Sequence, residues 1–185
     1  MNLAQNSLTV GYNKLLIIKI YIISIGTVNN DVMSFYKTCI SAFKNTDYQV
    51  IMSVGKLVPF DDFDDLPDNI SVFSRVDKIS VLKETDAFVS HCGMNSVSES
   101  LYFEVPLVLF PQATEQKGVA ERVLQFGARI KPDKADAVSV LGAVNETLND
   151  SSYKKNAIKI SGGFKKSSGA KGAADKIIQV CNDAM

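Results

Sequence analysis

The chain has 185 residues, of which 46% are hydrophobic and 22% charged, and its 20 basic residues balance 20 acidic ones. This is the composition of an ordinary globular domain, and it excludes an intrinsically disordered chain. A formal net charge of zero gives no long-range attraction toward nucleic acid or an anionic membrane surface, so neither is expected as a partner.

Strand-like and helix-like segments alternate after residues 1–16, which fit no such pattern and are interpreted as a linker or ragged N-terminus. In the first half of the chain, strands are predicted at residues 17–25, 48–54 and 70–74, with helices at 31–44 and 79–84. In the second half, strands are predicted at 87–90, 107–110 and 128–131, with helices at 96–103, 115–126 and 136–148. Further helices are expected in the tail, with a break at Gly162 and Gly163 and a restart near Ser168.

Short apolar strands joined by helices predict a parallel sheet covered by helices on both faces. Residues 17–185 are therefore expected to form one doubly wound α/β domain, whose ligands lie beyond the carboxyl ends of the strands. The most apolar stretch, residues 15–25, is too short to cross a bilayer and is interpreted as a buried strand. Three widely spaced cysteines predict neither a disulfide framework nor a metal knuckle, and we expect a cytoplasmic location.

The loop after the strand at 87–90 carries the densest set of candidate binding residues. Gly93 is expected to let the backbone turn tightly, and a helix is expected to open near Ser96. The N–H groups of a helix start form an anion site, to which His91, Asn95 and Ser96 can add hydrogen bonds. The spacing Ser96-x-x-Glu99 is also that of a helix-capping box, so the spacing alone leaves both interpretations open.

A cysteine–histidine catalytic pair is the competing interpretation of this loop, because His91 and Cys92 are neighbours. Adjacent side chains on an extended strand point to opposite faces, which keeps the two groups apart. The chain has no second histidine to serve as a base. We therefore reject a thiol enzyme.

A longer pattern surrounds the loop. It consists of His91-Cys92-Gly93-Met94-Asn95-Ser96, Glu99, Val105-Pro106-Leu107, Pro111-Gln112 and Glu115-Gln116. These elements, in this order, resemble the donor-site signature of the UDP-glycosyltransferases, and the match is closest to their bacterial macrolide-glycosyltransferase-like branch. Residues 24–29 resemble the first strand and loop of the family's C-terminal domain, and the resemblance extends over roughly residues 17–180.

The resemblance implies the GT-B fold, in which two Rossmann-like domains face each other and the C-terminal one holds a nucleotide-sugar donor, a UDP-sugar or a related nucleotide sugar. The implied diphosphate contacts are His91, Gly93, Asn95, Ser96, Gly26 and Thr27. The ribose contact is Glu99, the contacts to the transferred sugar are Glu115 and Gln116, and the base contacts are Arg75 and Val76. Glu115 and Gln116 are alternatively explained as the start of a helix after Pro111.

The family's reaction is displacement at the anomeric carbon with inversion, in which a general base deprotonates the acceptor hydroxyl. The resemblance therefore implies transfer of a hexose to a small-molecule hydroxyl, with no metal and no cofactor besides the donor itself. The acidic cluster at residues 61–65 is interpreted as a solvated loop.

Three departures from the family's pattern bear on function. The family's aromatic-x-Pro-Gln segment is replaced here by Arg75-Val76-Asp77-Lys78. Arg75 can stack on a base, but the contact of the glutamine is missing. The choice between uracil, thymine and another base therefore stays open. Glu104 replaces the usual glycine before Val-Pro, where a left-handed conformation is expected at a cost of about 1 kcal/mol.

The third departure is the absence of the N-terminal domain that supplies the acceptor pocket and the catalytic base in the family. We expect the chain alone to bind donor but to transfer poorly or not at all, with its catalytic residue in an N-terminal acceptor-binding domain or chain. The alternatives are a subunit of a split enzyme, a non-catalytic nucleotide-sugar-binding module, and a nucleotide-sugar epimerase. The apolar face left by a missing domain predicts self-association.

Overall fold

The computed structural model describes residues 20–24, 32–56, 58–59, 63, 65–132 and 134–183. Its elements in chain order are β1 (Ile20–Ser24), α1 (Val32–Phe43), β2 (Gln49–Ser53), β3 (Ile70–Phe73), α2 (Lys78–Leu82), β4 (Ala87–Ser90), α3 (Met94–Tyr102), β5 (Leu107–Leu109), α4 (Thr114–Leu124), β6 (Arg129–Ile130), α5 (Ala137–Asn149), α6 (Ser151–Lys166) and α7 (Gly169–Asp183). The elements predicted between residues 31 and 148 are all present, within about two residues of their predicted bounds. The predicted linker, residues 1–16, lies outside the described residues, as do Asp61, Asp62 and Asp64 of the acidic cluster.

In the described part of the chain, one sheet of six strands has the order β3-β2-β1-β4-β5-β6. Every neighbouring pair is parallel. This is the strand order of a doubly wound fold, so the predicted fold class is confirmed. The order reverses between β1 and β4, where Ser24 pairs with Ser90. The carboxyl ends of these two strands therefore flank the crevice in which such sheets bind ligands.

Two apolar cores lie on opposite faces of the sheet. One contains residues of α1 and α5 together with sheet residues such as Met52 and Val89. The other contains residues of α2, α3, α4 and α6 together with Phe88 and Leu107. The consecutive residues Phe88 and Val89 are both buried because successive strand side chains point to opposite faces. Burial on both faces explains why the central strands are continuous apolar runs.

Helix α6 runs from Ser151 to Lys166, so the predicted break at Gly162 and Gly163 is wrong. Contacts with the end of α3 lie on both sides of the glycine pair. Ser161 Oγ donates to the Tyr102 carbonyl oxygen at 2.7 Å, and Lys165 Nζ forms an ion pair with Glu104 at 2.7 Å. Tertiary contacts therefore outweigh the low helix propensity of two glycines, and the chain breaks only at Ser167.

Replacing Gly163 by alanine is expected to raise the free energy of unfolding by about 0.5–1 kcal/mol, because alanine favours an exposed helix position. No heavy atom lies within 4 Å of the Cβ that the substitution would add. Urea denaturation measures the change. Gly127→Ala is the opposing control, since Gly127 has φ +66° and its Cβ would lie 2.8 Å from Asn156 Nδ2. A loss of stability in Gly163→Ala would contradict a continuous α6.

Helix α3 ends in a Schellman motif with Glu104 in the left-handed position, at φ +65°. The Glu104 N–H donates to the Leu101 carbonyl oxygen at 3.1 Å, and the Val105 N–H donates to that of Ser100 at 2.9 Å. The conformation expected at Glu104 is therefore confirmed. The hydrogen bond from the Lys165 ammonium group holds the pKa of the Glu104 carboxyl below its usual value.

Two substitutions at Glu104 separate backbone strain from the ion pair. Glu104→Gln removes only the charge, whereas Glu104→Gly removes the charge and also the left-handed strain. We expect the glycine variant to be more stable than the glutamine variant by about 1 kcal/mol in urea denaturation. The pKa of the Glu104 carboxyl is lower in the folded chain than in the unfolded chain. The ion pair therefore stabilises the fold fully when the pH is above the pKa of Glu104 in the unfolded chain. This stabilisation is lost as the pH falls through the pKa of Glu104 in the folded chain. Equal stability of the two variants would contradict a strained residue 104.

Helix α7 has no buried residue and leaves Ile177, Ile178 and Val180 exposed. Such an apolar surface is what self-association requires, and self-association remains a prediction. In the described part of the chain, no helix combines the length and apolarity needed to cross a membrane.

Candidate functional site

The chain turns sharply after β4 at Cys92, whose φ is +70°. Gly93 has φ −62° and ψ 134°, an ordinary extended conformation, so the prediction that Gly93 makes the tight turn is wrong. Ser90 holds the turn, because its Oγ accepts a hydrogen bond from the Cys92 N–H at 3.1 Å. The buried Cys92 thiol donates to the Ser90 carbonyl oxygen at 3.6 Å. This role of Ser90 was not predicted, although serine hydroxyls commonly form hydrogen bonds with the backbone two residues on.

The His91 imidazole lies directly over Gly93. A Cβ at residue 93 would come 2.5 Å from His91 Nε2 and 3.2 Å from His91 Cε1. Only glycine leaves room for the imidazole to approach the backbone this closely. The predicted residues His91 and Gly93 are thus brought together. A glycine is required at position 93 because the His91 side chain lies against it, and not because of its backbone conformation.

Helix α3 begins at Met94, two residues before the predicted start at Ser96. The first bond within the helix runs from the Val97 N–H to the Gly93 carbonyl oxygen at 3.0 Å. The N–H groups of Met94, Asn95 and Ser96 precede this bond, and a helix has no partner of its own for them. The N-cap residue Gly93 has no side chain that could cap this end of α3, where Met94 and Asn95 are exposed. The start of α3 therefore offers N–H donors and partial positive charge to an anion.

Ser96 and Glu99 do not form a capping box, which was the alternative interpretation of their spacing, because they are the third and sixth residues of α3. Both instead contact Lys78. The Lys78 ammonium group donates to Ser96 Oγ at 3.2 Å and lies 2.5 Å from Glu99 Oε2. Ser96 is buried, and about one third of the Glu99 side chain is exposed. This role of Lys78 was not predicted, because the contact joins the helices α2 and α3, which are separated along the chain.

Glu115 and Gln116 lie in the first turn of α4, at the same edge of the sheet as His91. Gln116 Oε1 accepts hydrogen bonds from the N–H groups of Gln112 at 2.8 Å and Ala113 at 3.0 Å. Glu115 is exposed, where its charge complements the helix dipole. These contacts are those of a helix start, and the sugar contacts of both residues remain predictions.

The predicted base contacts follow β3. Arg75 is exposed, whereas Val76 is half-buried and packs against the core that contains α2 and α3. Asp77 caps α2, and the hydrogen bond from the Ser80 hydroxyl at 2.6 Å holds the pKa of the Asp77 carboxyl below its usual value. The predicted diphosphate contacts Gly26 and Thr27 lie outside the described residues.

Across the described ranges, no three histidine, cysteine or acidic side chains come together in a way that could hold a metal ion. None of the three cysteines forms a disulfide, and Cys39 and Cys92 are buried. Burial raises the pKa of the Cys39 thiol far above its usual value, so this thiol stays neutral. The groups that are available to a ligand at the sheet edge are therefore backbone N–H groups, hydroxyls, an imidazole, a carboxylate and an ammonium group.

Residues 20–167 match the model of the family described as UDP-glucoronosyl and UDP-glucosyl transferase. The NDP-glycosyltransferase YjiC of Bacillus licheniformis is 40% identical over 160 residues, which cover 85% of this chain and 40% of that protein. The demethyllactenocin mycarosyltransferase of Streptomyces fradiae is 28% identical over 157 residues, 84% of this chain and 34% of that protein. This chain thus spans about 40% or less of the length of these two relatives.

Solved structures agree with the fold. The crystal structure of CalG4, the calicheamicin glycosyltransferase, superposes with a TM-score of 0.85 at 27% identity, over 96% of this chain and 47% of that one. The crystal structure of Os79 from O. sativa in complex with UDP has a TM-score of 0.75 at 22% identity, over 86% of this chain and 39% of that one, and shows likeness of fold alone.

Proposed function

Because this chain belongs to the UDP-glucoronosyl and UDP-glucosyl transferase family, we propose that it is the donor-binding domain of an inverting glycosyltransferase. In this proposal, a hexose passes from a UDP-sugar, or a related nucleotide sugar, to a hydroxyl group of a small molecule. The observation that carries the proposal is the uncapped start of α3 beside His91, at the point where the strand order reverses.

The diphosphate is the group that this site suits best. The N–H groups of Met94, Asn95 and Ser96 offer hydrogen bonds to phosphate oxygens, and the dipole of α3 adds partial positive charge. We assign the His91 imidazole as a further hydrogen-bond donor to the phosphates. Asn95 adds a side-chain amide. Gly26 and Thr27 complete the proposed diphosphate contacts on the strength of the resemblance.

The remaining parts of the donor are assigned to the neighbouring side chains. Glu99 has the two acceptor oxygens needed for a pair of ribose hydroxyls. Arg75 is exposed and can stack its guanidinium group on the base, with Val76 beside it. Glu115 and the amide NH₂ group of Gln116 are assigned to the hydroxyls of the transferred sugar.

In the proposed reaction, the acceptor oxygen attacks the anomeric carbon as the bond to the diphosphate oxygen breaks. The start of α3 stabilises the negative charge that develops on the leaving diphosphate. The acceptor proton passes to a general base. The single histidine of the sequence is assigned to the diphosphate, so we propose that an acceptor-binding domain or chain supplies the base.

Calorimetric titration tests the donor site with UDP, TDP and their glucose conjugates. We expect the wild-type chain to bind the diphosphates, and His91→Ala to weaken this binding about 10- to 100-fold, the loss typical of a hydrogen bond to a charged group. Uridine, which lacks phosphate, is the control ligand, and its affinity is expected to be unchanged. Failure of the wild type to bind any of these diphosphates would refute the proposal.

A non-catalytic nucleotide-sugar-binding module is the second candidate, because no general base is assigned among the described residues. The two candidates differ in turnover. We expect donor hydrolysis or sugar transfer to appear when the N-terminal domain of a relative is added to this chain. Donor binding without turnover in the presence of several such domains would favour the module.

A further inference from the structure

Lys78 occupies the position where the family's aromatic-x-Pro-Gln segment has a neutral glutamine, and its ammonium group lies at the start of α3. We propose that Lys78 is a nucleotide-binding residue that donates a hydrogen bond to the diphosphate of the donor while it remains paired with Glu99. This inference rests on the donor site proposed above, and it adds a cation to that site.

The geometry of the ammonium group supports this role. A lysine ammonium group has three N–H donors. The group donates to Ser96 Oγ at 3.2 Å, and it forms an ion pair with Glu99, whose Oε2 lies 2.5 Å away. Ser96 belongs to the first turn of α3, so the ammonium group lies close to the N–H groups assigned to the diphosphate. Because one hydrogen bond uses only one of the three donors, the group can donate to a phosphate oxygen while it stays paired with Glu99.

The backbone from which Lys78 reaches the site is fixed. Lys78 is the first residue of α2, whose N-cap Asp77 accepts hydrogen bonds from the Ser80 N–H and hydroxyl. Leu82, at the other end of α2, is buried in the core shared with α3. About 29% of the Lys78 side chain is exposed, so the protein does not enclose it completely.

The charge of Lys78 also resolves an electrostatic conflict within the proposed site. Glu99 is assigned to the ribose, yet its negative charge lies one helical turn from the positions assigned to an anionic diphosphate. Like charges at such a distance repel each other. The Lys78 ammonium group neutralises Glu99 and attracts the phosphate, and a glutamine at this position can do neither.

The experiment compares uridine, UMP and UDP by calorimetry in the wild type, Lys78→Gln and Lys78→Arg. We expect Lys78→Gln to weaken UDP binding about tenfold, which is the lower end of the range for a hydrogen bond to a charged group, because Lys78 is partly exposed. Uridine binding should change by less than about twofold. The arginine variant keeps the charge and should retain most of the affinity for UDP. Lys159→Gln removes an exposed charge on α6 and should bind as the wild type does.

Salt dependence gives a second readout. Because Lys78 contributes a charge to phosphate binding, the Lys78→Gln variant should show a weaker dependence of UDP affinity on salt than the wild type. An equal loss of affinity for UDP and uridine would mean that Lys78 only positions Glu99 and would overturn the inference. Unchanged or improved UDP binding in Lys78→Gln would overturn it as well. Absence of UDP binding in the wild type would instead refute the donor site itself.

Discussion

The Gly93→Ala variant is expected to bind UDP about 10- to 100-fold more weakly than the wild type, the loss typical of a hydrogen bond to a charged group. The added Cβ would lie 2.5 Å from His91 Nε2, so the imidazole must move away from the start of α3. The backbone itself tolerates alanine, because Gly93 has φ −62°. Calorimetry measures the affinity, and thermal unfolding checks that the variant is folded.

Gly142→Ala is the matched control for this substitution. Gly142 lies within α5 on the opposite face of the sheet, and no heavy atom lies within 4 Å of its added Cβ. We expect this variant to bind UDP as the wild type does and to be about 0.5–1 kcal/mol more stable. If Gly93→Ala kept its UDP affinity, His91 would not contact the diphosphate.

Removal of the Glu99 carboxylate is expected to abolish the preference of the chain for an intact ribose. The wild type should bind UDP about 10- to 100-fold more tightly than 2′,3′-dideoxy-UDP, because a carboxylate accepts two hydrogen bonds from the hydroxyls of the first ligand only. In Glu99→Ala the two affinities should converge. Binding of the dideoxy ligand should hold or improve, since the substitution releases Lys78 from its ion pair.

Competitive titration with the two ligands measures this preference directly. Glu121→Ala removes an exposed carboxylate from α4 and should keep the preference of the wild type. A Glu99→Ala variant that loses affinity for both ligands by the same factor would show that Glu99 supports the fold of the loop rather than the ribose.

The parts of the fold that sequence predicts well are those set by local patterns. Alternating apolar strands and helices are sufficient to predict the parallel sheet, because burial on both faces leaves few other arrangements for such segments. The left-handed Glu104 is also a local feature, set by the end of α3 and the turn into Val105. Both predictions are confirmed.

The interpretations that the structure contradicts depend on side-chain contacts, two of which join residues distant in the sequence and one of which joins residues two positions apart. The spacing of Ser96 and Glu99 fits a capping box, but Lys78, the first residue of α2, contacts both. The turn at Cys92 depends on the Ser90 hydroxyl, which makes a left-handed non-glycine residue tolerable beside a glycine that remains extended. Helix α6 passes through two glycines because it packs along the end of α3. Propensity and spacing carry no information about such partners.

A crystal structure of this chain with UDP tests the central claim most directly. We predict that phosphate oxygens lie about 3 Å from the backbone nitrogens of residues 94–96 and that His91 and Lys78 also contact them. Phosphates bound at another edge of the sheet would contradict this claim. It would also be contradicted if the protein's own side chains filled the site at the start of α3 while the nucleotide bound elsewhere.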